Sequence, residues 1–254
     1  MEFLHEPNEC LIIGLVGAVG GRLKSLSNIL KSILNSEFNY EVHEIRVSQL
    51  FLEPEVNLEN KNQYERYEIL MDVGNELRKK NHTGYIAHKV VKHIHFEKKK
   101  SENKRKAFII NSLKHESEIK ALRDIYGKNF FQISLYESPE VRNDVLINDI
   151  GMTVEQAGKL MERDEGEKND YGQHTRDAFH LADYFIKFDN KNNNQIKNSC
   201  SRFLELIFGN PYRTPTFNEF AMYMAFTSSL RSADLSRQVG AVLARDRNII
   251  SSRP

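Results

Sequence analysis

The passage from Leu11 to Leu34 constrains the chain most. A short run of apolar residues, Leu11-Ile12-Ile13-Gly14-Leu15-Val16, meets a turn containing Gly17, Gly20 and Gly21. Such a run, branched and bounded by glycines, is the pattern of a strand buried on both faces of a parallel sheet. Beyond the turn, Leu23, Leu26, Leu30, Ile33 and Leu34 share one helical face. A strand, a glycine turn and a helix in that order bring backbone N–H groups and the positive end of a helix dipole to one point. Only small residues let an anion approach the main chain there. The passage predicts an α/β fold and an anion-binding turn formed by Gly14, Gly17, Gly20 and Gly21, flanked by Arg22, Lys24 and Ser25.

The full P-loop pattern requires Gly-Lys followed by Ser or Thr, because the lysine reaches the outer phosphates and the hydroxyl faces a metal. With the run from Gly14 to Gly20 laid on the family's opening turn, Leu23 stands at the lysine position, Lys24 falls one residue late, and Ser25 lies near the hydroxyl position. One step along a helix rotates a side chain by about 100°, so Lys24 replaces the lysine only if the turn is remodelled. The expectation is binding of a nucleotide or phosphate with poor phosphoryl transfer. The competing reading is that the glycines serve only tight packing of strand on helix.

Further strands are predicted at residues 42–47, 107–111, 130–136 and 184–188. Between them lie helical patterns at 58–80, 85–96, 140–150, 153–162 and 203–208, and one running through Leu122 and Tyr126. Strands alternating with helices imply a doubly wound parallel sheet. The Asn- and Lys-rich residues 189–198 read as a short surface loop. The lysines at 98–100, continued by Lys104, Arg105 and Lys106, read as a helix end or a solvated loop. Gly209-Asn210-Pro211 closes a first domain, residues 1–210. Residues 211–254 then hold a linker, a helix over 217–230, and a hairpin of 239–244 with 249–251 turned at Asp246-Arg247-Asn248.

With Lys+Arg 36 against Asp+Glu 35, the net charge of +1 gives no bulk field toward nucleic acid or membrane, so phosphate binding has to be local. Cys10 and Cys200 lie far apart and have no ligand-like spacing with histidines, which argues against a disulfide framework or a zinc knuckle and for a reducing cytoplasm. No segment approaches the roughly 20 apolar residues that span a bilayer, and the first ten residues lack a signal-peptide pattern. His88, His93 and His95 read as core or solvated side chains. Asp164, Glu165 and Asp183 read either as a magnesium shell or as an acidic loop and a cap at a strand's start.

The glycine turn is followed by Met71-Asp72-Val73-Gly74-Asn75-Glu76-Leu77-Arg78, then by Asn111-Ser112-Leu113-Lys114-His115 and Leu122-Arg123-Asp124-Ile125-Tyr126-Gly127. After these come Met161-Glu162-Arg163-Asp164-Glu165 and the stretch from Tyr171 to Ile186. In this order the segments resemble the amino-terminal domain of anti-phage deoxycytidylate-type deaminases, over most of residues 10–190. The resemblance implies a P-loop fold of nucleoside-monophosphate-kinase type. It puts Arg78 in an acceptor-nucleotide pocket and Arg142 and Arg163 near a mobile basic lid; taken singly, each arginine reads as a surface ion pair, and only their ordered company points to phosphate. The implied ligand is a nucleotide, ATP or a deoxynucleotide, with magnesium a candidate companion.

Phe217-Asn218-Glu219-Phe220-Ala221-Met222-Tyr223-Met224-Ala225, with Ser236-Arg237-Gln238-Val239-Gly240-Ala241-Val242-Leu243, is similar to the opening helix and first strand of cytidine and deoxycytidylate deaminases. In that chemistry a His or Cys beside a Glu, and later Pro-Cys-x-x-Cys, hold zinc and activate water. The residues that follow this segment, 244–254, carry none of these motifs, so the chain is expected neither to hold catalytic zinc nor to deaminate by itself. The implied role is a nucleotide-sensing regulatory part of an antiviral deaminase. Two other readings stand beside it: an active nucleoside-monophosphate kinase, and an interaction module that binds an inhibitory RNA through residues 98–106 or forms a homo-oligomer.

Overall fold

The computed structural model describes residues 10–100, 105–188, 193–234 and 236–254. Its centre is a five-stranded sheet of β1 (Cys10–Gly17), β2 (Glu41–Arg46), β3 (Lys106–Asn111), β4 (Phe130–Tyr136) and β5 (Tyr184–Lys187), in the order β2-β3-β1-β4-β5. Every pairing is parallel; β1 runs against β3 from Cys10↔Lys106 to Leu15↔Asn111 and against β4 from Ile12↔Phe130 to Gly17↔Leu135. The doubly wound sheet expected from the alternating pattern is present.

All eight residues of β1 are buried, as a central strand covered on both faces requires. Ile12 and Val16 share a core with Phe108 and Ile110 of β3, with Ile86, Val90 and Ile94 of α3 (Tyr85–Lys100), and with Ile119 and Leu122 of α4 (Glu116–Tyr126). Leu11, Ile13 and Leu15 point the other way and are buried as well. On α1 (Leu23–Ser36) the buried residues are the predicted ones, Leu23, Leu26, Leu30, Ile33 and Leu34, joined by Ser27.

The helix predicted from residue 58 begins later, as α2 (Gln63–Lys80), because Asn62 and Glu65 form a capping box that fixes its start. The polar stretch before β5 contains α6 (Val154–Glu165) and a short α7 (Thr175–His180), and α5 (Pro139–Asp144) precedes both. One expectation is corrected. Residues 193–198 belong to α8 (Asn193–Ile207), not to a loop, because Ile196, Cys200, Phe203 and Leu204 form a buried stripe at helical spacing that outweighs the Asn-rich composition. Residues 189–192 of the expected loop, and Lys104 of the basic segment, lie outside the described residues.

The chain divides into two compact units after Leu204. In the unit from Glu205, helix α9 (Phe217–Ser229) starts at a Thr216–Glu219 capping box and packs on an antiparallel hairpin of β6 (Ala241–Arg245) and β7 (Asn248–Arg253). Asp246 and Arg247 both take positive φ, 50° and 61°, as a two-residue hairpin turn requires. No helix among the described residues is long and apolar enough to cross a membrane.

Candidate phosphate site at the glycine turn

The chain leaves β1 at Gly17 and enters α1 at Leu23, so the turn lies at the carboxyl end of the central strand. From β1 the connection runs to β2 at one edge, whereas from the neighbouring β3 it crosses to β4 on the other side. Neighbouring strands that send the chain opposite ways leave a crevice beyond their carboxyl ends, the usual ligand position in open α/β sheets. A cavity of about 370 Å³ occupies that crevice, lined by the turn, by the end of β3 and by α2.

Within the turn, Gly20 has φ +79°, and a Cβ there would lie 2.7 Å from the carbonyl oxygen of Arg142. Only glycine fits both conditions. Gly14 stands inside β1, packed against Leu113 and Phe130, and does not line the cavity, so the structure assigns it to packing rather than to anion contact. Gly17 abuts the side chain of Leu23, which is a core residue. That burial is why the lysine position of the motif holds a leucine. Lys24 is exposed and lines the cavity; Ser25 is exposed and does not.

Two N–H donors of the turn already hold carboxylates of the chain itself. Val19 N donates to Asp164 Oδ2 at 2.8 Å, and Arg22 N donates to Glu137 Oε2 at 2.6 Å. Asp164 also accepts from Lys114 Nζ at 2.7 Å and from Thr175 Oγ1 at 3.2 Å, while Lys114 Nζ donates to Gly17 O at 2.9 Å. Glu137 takes a second contact from the Arg22 guanidinium at 3.4 Å, and that guanidinium lies over the Phe188 ring. Burial pushes the Glu137 carboxyl above its ordinary pKa, against the pull of Arg22 and Arg142.

Lys114 is the site residue that sequence reasoning missed. It stands in a loop three residues beyond β3, and its ammonium reaches the turn where the motif's own lysine is lacking. Its position just past the carboxyl end of a strand beside β1 was the available signal. The same loop holds Ser112 at φ +75°, an uncommon conformation for a residue with a Cβ, and Asn111, Ser112 and Lys114 all line the cavity.

The three arginines singled out by the resemblance do not converge. Arg78 lines the cavity, but its Nε and NH2 both donate to Glu118 Oε1, at 3.0 and 2.7 Å, in a pair almost wholly withdrawn from water. Arg142 lies on the other side of the turn, bonded to Val19 O and Glu165, and lines a second cavity of about 320 Å³. Arg163 lines neither cavity; it pairs with Asp72 at 2.5 Å and Glu167 at 2.8 Å.

The acidic residues named from the sequence are engaged within the chain. Asp164 accepts from Val19 N, Lys114 Nζ and Thr175 Oγ1, Glu165 accepts from Arg142, and Asp183, just before β5, holds Arg123 while accepting from Gln132 N of β4, as the strand-cap reading expects. Among the described residues no three His, Cys, Asp or Glu side chains group as a metal site. His88 faces His82, with ring nitrogens 3.2 Å apart. In the basic segment, Lys106 is buried and donates to the carbonyls of Glu97 and Lys98, which removes it from any RNA-facing surface.

The chain is similar to several solved structures at low identity. The protein TT1252 of Thermus thermophilus matches with a TM-score of 0.47 and 14% identity, over 77% of this chain and 96% of that one. Shikimate kinase from Acinetobacter baumannii matches with a TM-score of 0.44 and 13% identity, over 81% and 97%. A gluconokinase from Sinorhizobium meliloti 1021 gives 0.39 and 12%, over 82% and 100%. No protein-family model matches the chain, and no curated protein does.

Proposed function

We propose that the unit ending at Leu204 binds a nucleotide in the 370 Å³ crevice, with the base among Leu52, Tyr67, Leu70, Met71 and Ile86 and the phosphates toward Lys24, Lys114 and the turn. The observation that carries this reading is the cavity's place at the carboxyl ends of β1 and β3, with Lys114 supplying a cation at the glycine turn. The turn itself offers little for phosphoryl transfer, because Leu23 is packed into the core and Asp164 neutralises Lys114. Binding without turnover is the expected behaviour.

The fuller reading is a regulatory, nucleotide-sensing part of an anti-phage deaminase that converts dCTP or dCMP to deoxyuridine nucleotides and so depletes the pool in infected cells. Its support is the ordered set of segments between Met71 and Ile186 together with the residues from Phe217 onward. Catalytic zinc belongs in that reading to motifs this chain does not carry, so no step is assigned to it here. An active nucleoside-monophosphate kinase is the second reading, favoured by one observation: Lys114 Nζ stands at Gly17 O, close to where a transferring phosphoryl group needs a cation.

Titration of the chain with ATP, dCTP and dCMP, beside assays of phosphate release and of phosphate transfer from ATP to dCMP, separates these readings. Saturable binding with negligible turnover supports the regulatory module. Transfer to dCMP that is lost in Lys114→Gln supports the kinase. Absence of binding by all three nucleotides contradicts both.

A further inference from the structure

The two carboxylates at the glycine turn are held unequally. Asp164 is fully buried and draws donors from three residues, Val19, Lys114 and Thr175. Glu137, in the loop after β4, is bonded by Arg22 alone, through its backbone N–H and its guanidinium. Burial opposes the charged form of Glu137, which makes it the looser of the two anions.

Beside Glu137 lies a donor with no acceptor. Arg142 is only 5% exposed, and its Nε has no hydrogen-bond partner in the structure. Buried N–H groups are almost always paired, so an orphan next to a cavity indicates where an acceptor belongs. The 320 Å³ cavity opens at this place, and Glu137, Arg142, Arg176 and Phe179 all line it. Gly21 completes the arrangement: a Cβ there would lie 3.0 Å from Glu137 Oε2, so the glycine keeps room for an anion.

We propose that Glu137 is a resident carboxylate filling an oxyanion site on the Arg142 side of the turn, and that a phosphate group of a phosphorylated ligand, arriving through the 320 Å³ cavity, exchanges with it. The incoming group inherits the Arg22 N–H and guanidinium and gives Arg142 Nε its missing acceptor. A phosphate carries more negative charge and more acceptor oxygens than a carboxylate, which suits the two guanidinium groups. The displaced Glu137 side chain moves into the cavity toward Arg176. The site shares the glycine turn with the nucleotide crevice, whose lining includes Gly21, so the proposal rests on the reading of that turn as a phosphate site and adds its regulation by Glu137.

The test is equilibrium binding of inorganic phosphate and of pyrophosphate to the full chain and to Glu137→Ala and Glu137→Gln. Removing a competitor that fills the site more than about 90% of the time raises apparent affinity at least about tenfold. Both variants are expected to show that gain. Variants that melt like the parent and bind phosphate no more tightly overturn the proposal. Should Glu137→Ala fail to fold, Glu137→Gln keeps the shape and decides the matter. Parallel titration with dCTP keeps the two sites apart: nucleotide binding that persists and weakens in Lys114→Gln, without any gain in phosphate affinity on loss of Glu137, overturns this proposal alone.

Discussion

Arg78 and Glu118 form an ion pair in which both side chains are almost fully withdrawn from water, and Glu118 also accepts from Lys114 N. Removing the arginine leaves a buried carboxylate with its charge uncompensated, so Arg78→Ala is expected to cost about 3–5 kcal/mol in a denaturant titration. The double variant Arg78→Met, Glu118→Met is expected to recover most of that loss; a double variant as unstable as the single one contradicts the pairing. Loss of ligand binding in Arg78→Ala therefore reports on folding before it reports on recognition. The resemblance puts Arg78 in a nucleotide pocket; the buried partner it has instead stands forty residues away on another helix, beyond what spacing along the sequence shows.

Glu167 is tied to three groups. Burial by itself raises its pKa, but hydrogen bonds from Gln173 N–H, Asn75 Nδ2 and Arg163 Nε hold the carboxyl below its ordinary range. A carboxyl whose folded pKa lies below its unfolded one contributes stability that is fully present above the unfolded value of about 4.3 and is lost as pH falls through the folded value. Glu167→Gln is accordingly expected to lower stability by about 1–2 kcal/mol near neutrality. Melting curves taken from neutral pH down into acid check the sign: the gap between parent and variant closes in acid, and a gap that stays constant contradicts the assignment.

At the scale of elements, the strand, turn and helix at residues 10–36 were legible because their requirements are local. Burial on both faces demands an apolar strand, and a buried helix face demands residues three and four apart. Gly20→Val tests that unit: at φ +79°, with the Arg142 carbonyl 2.7 Å from the added Cβ, it is expected to destabilise by about 1–3 kcal/mol and to weaken nucleotide binding, as a melting curve and a titration on the same sample show. A variant as stable as the parent and binding equally well contradicts the turn geometry.

Where contacts are non-local, sequence reading fails. The start of α8 reads as a loop because Asn and Lys dominate its first turn, yet Ile196, Cys200, Phe203 and Leu204 carry it into the core. Leu204→Ala is expected to cost about 2–5 kcal/mol, the range for a leucine truncated in a packed interior. A loss under about 1 kcal/mol contradicts the helix packing described here, since surface substitutions fall in that range. Lys114 escaped for a related reason: periodicity marks which residues face a core, not which loop residue a sheet order brings beside another strand's turn.

At the scale of the whole molecule, a net charge of +1 leaves no general attraction to anions, so the positive character has to be made locally and is then largely neutralised from within. Asp164 and Glu137 satisfy the turn, and Glu118 satisfies Arg78. The pattern of donors resembles a phosphate site, while the internal carboxylates set how much of it an outside phosphate can claim. The fold class followed from the order of strands and helices. The division of the site into two cavities on either side of one turn did not, because it depends on where α2, α5 and α7 come to rest.

The most direct measurement is a calorimetric titration of dCTP into the parent chain and into Lys114→Gln, with the melting temperature of each recorded under the same conditions. Saturable binding by the parent, weakened at least about tenfold in a folded Lys114→Gln, which is about 1.4 kcal/mol, is the result expected if the crevice between β1 and β3 is the nucleotide site. No binding by the parent, or equal affinity in the folded variant, contradicts it.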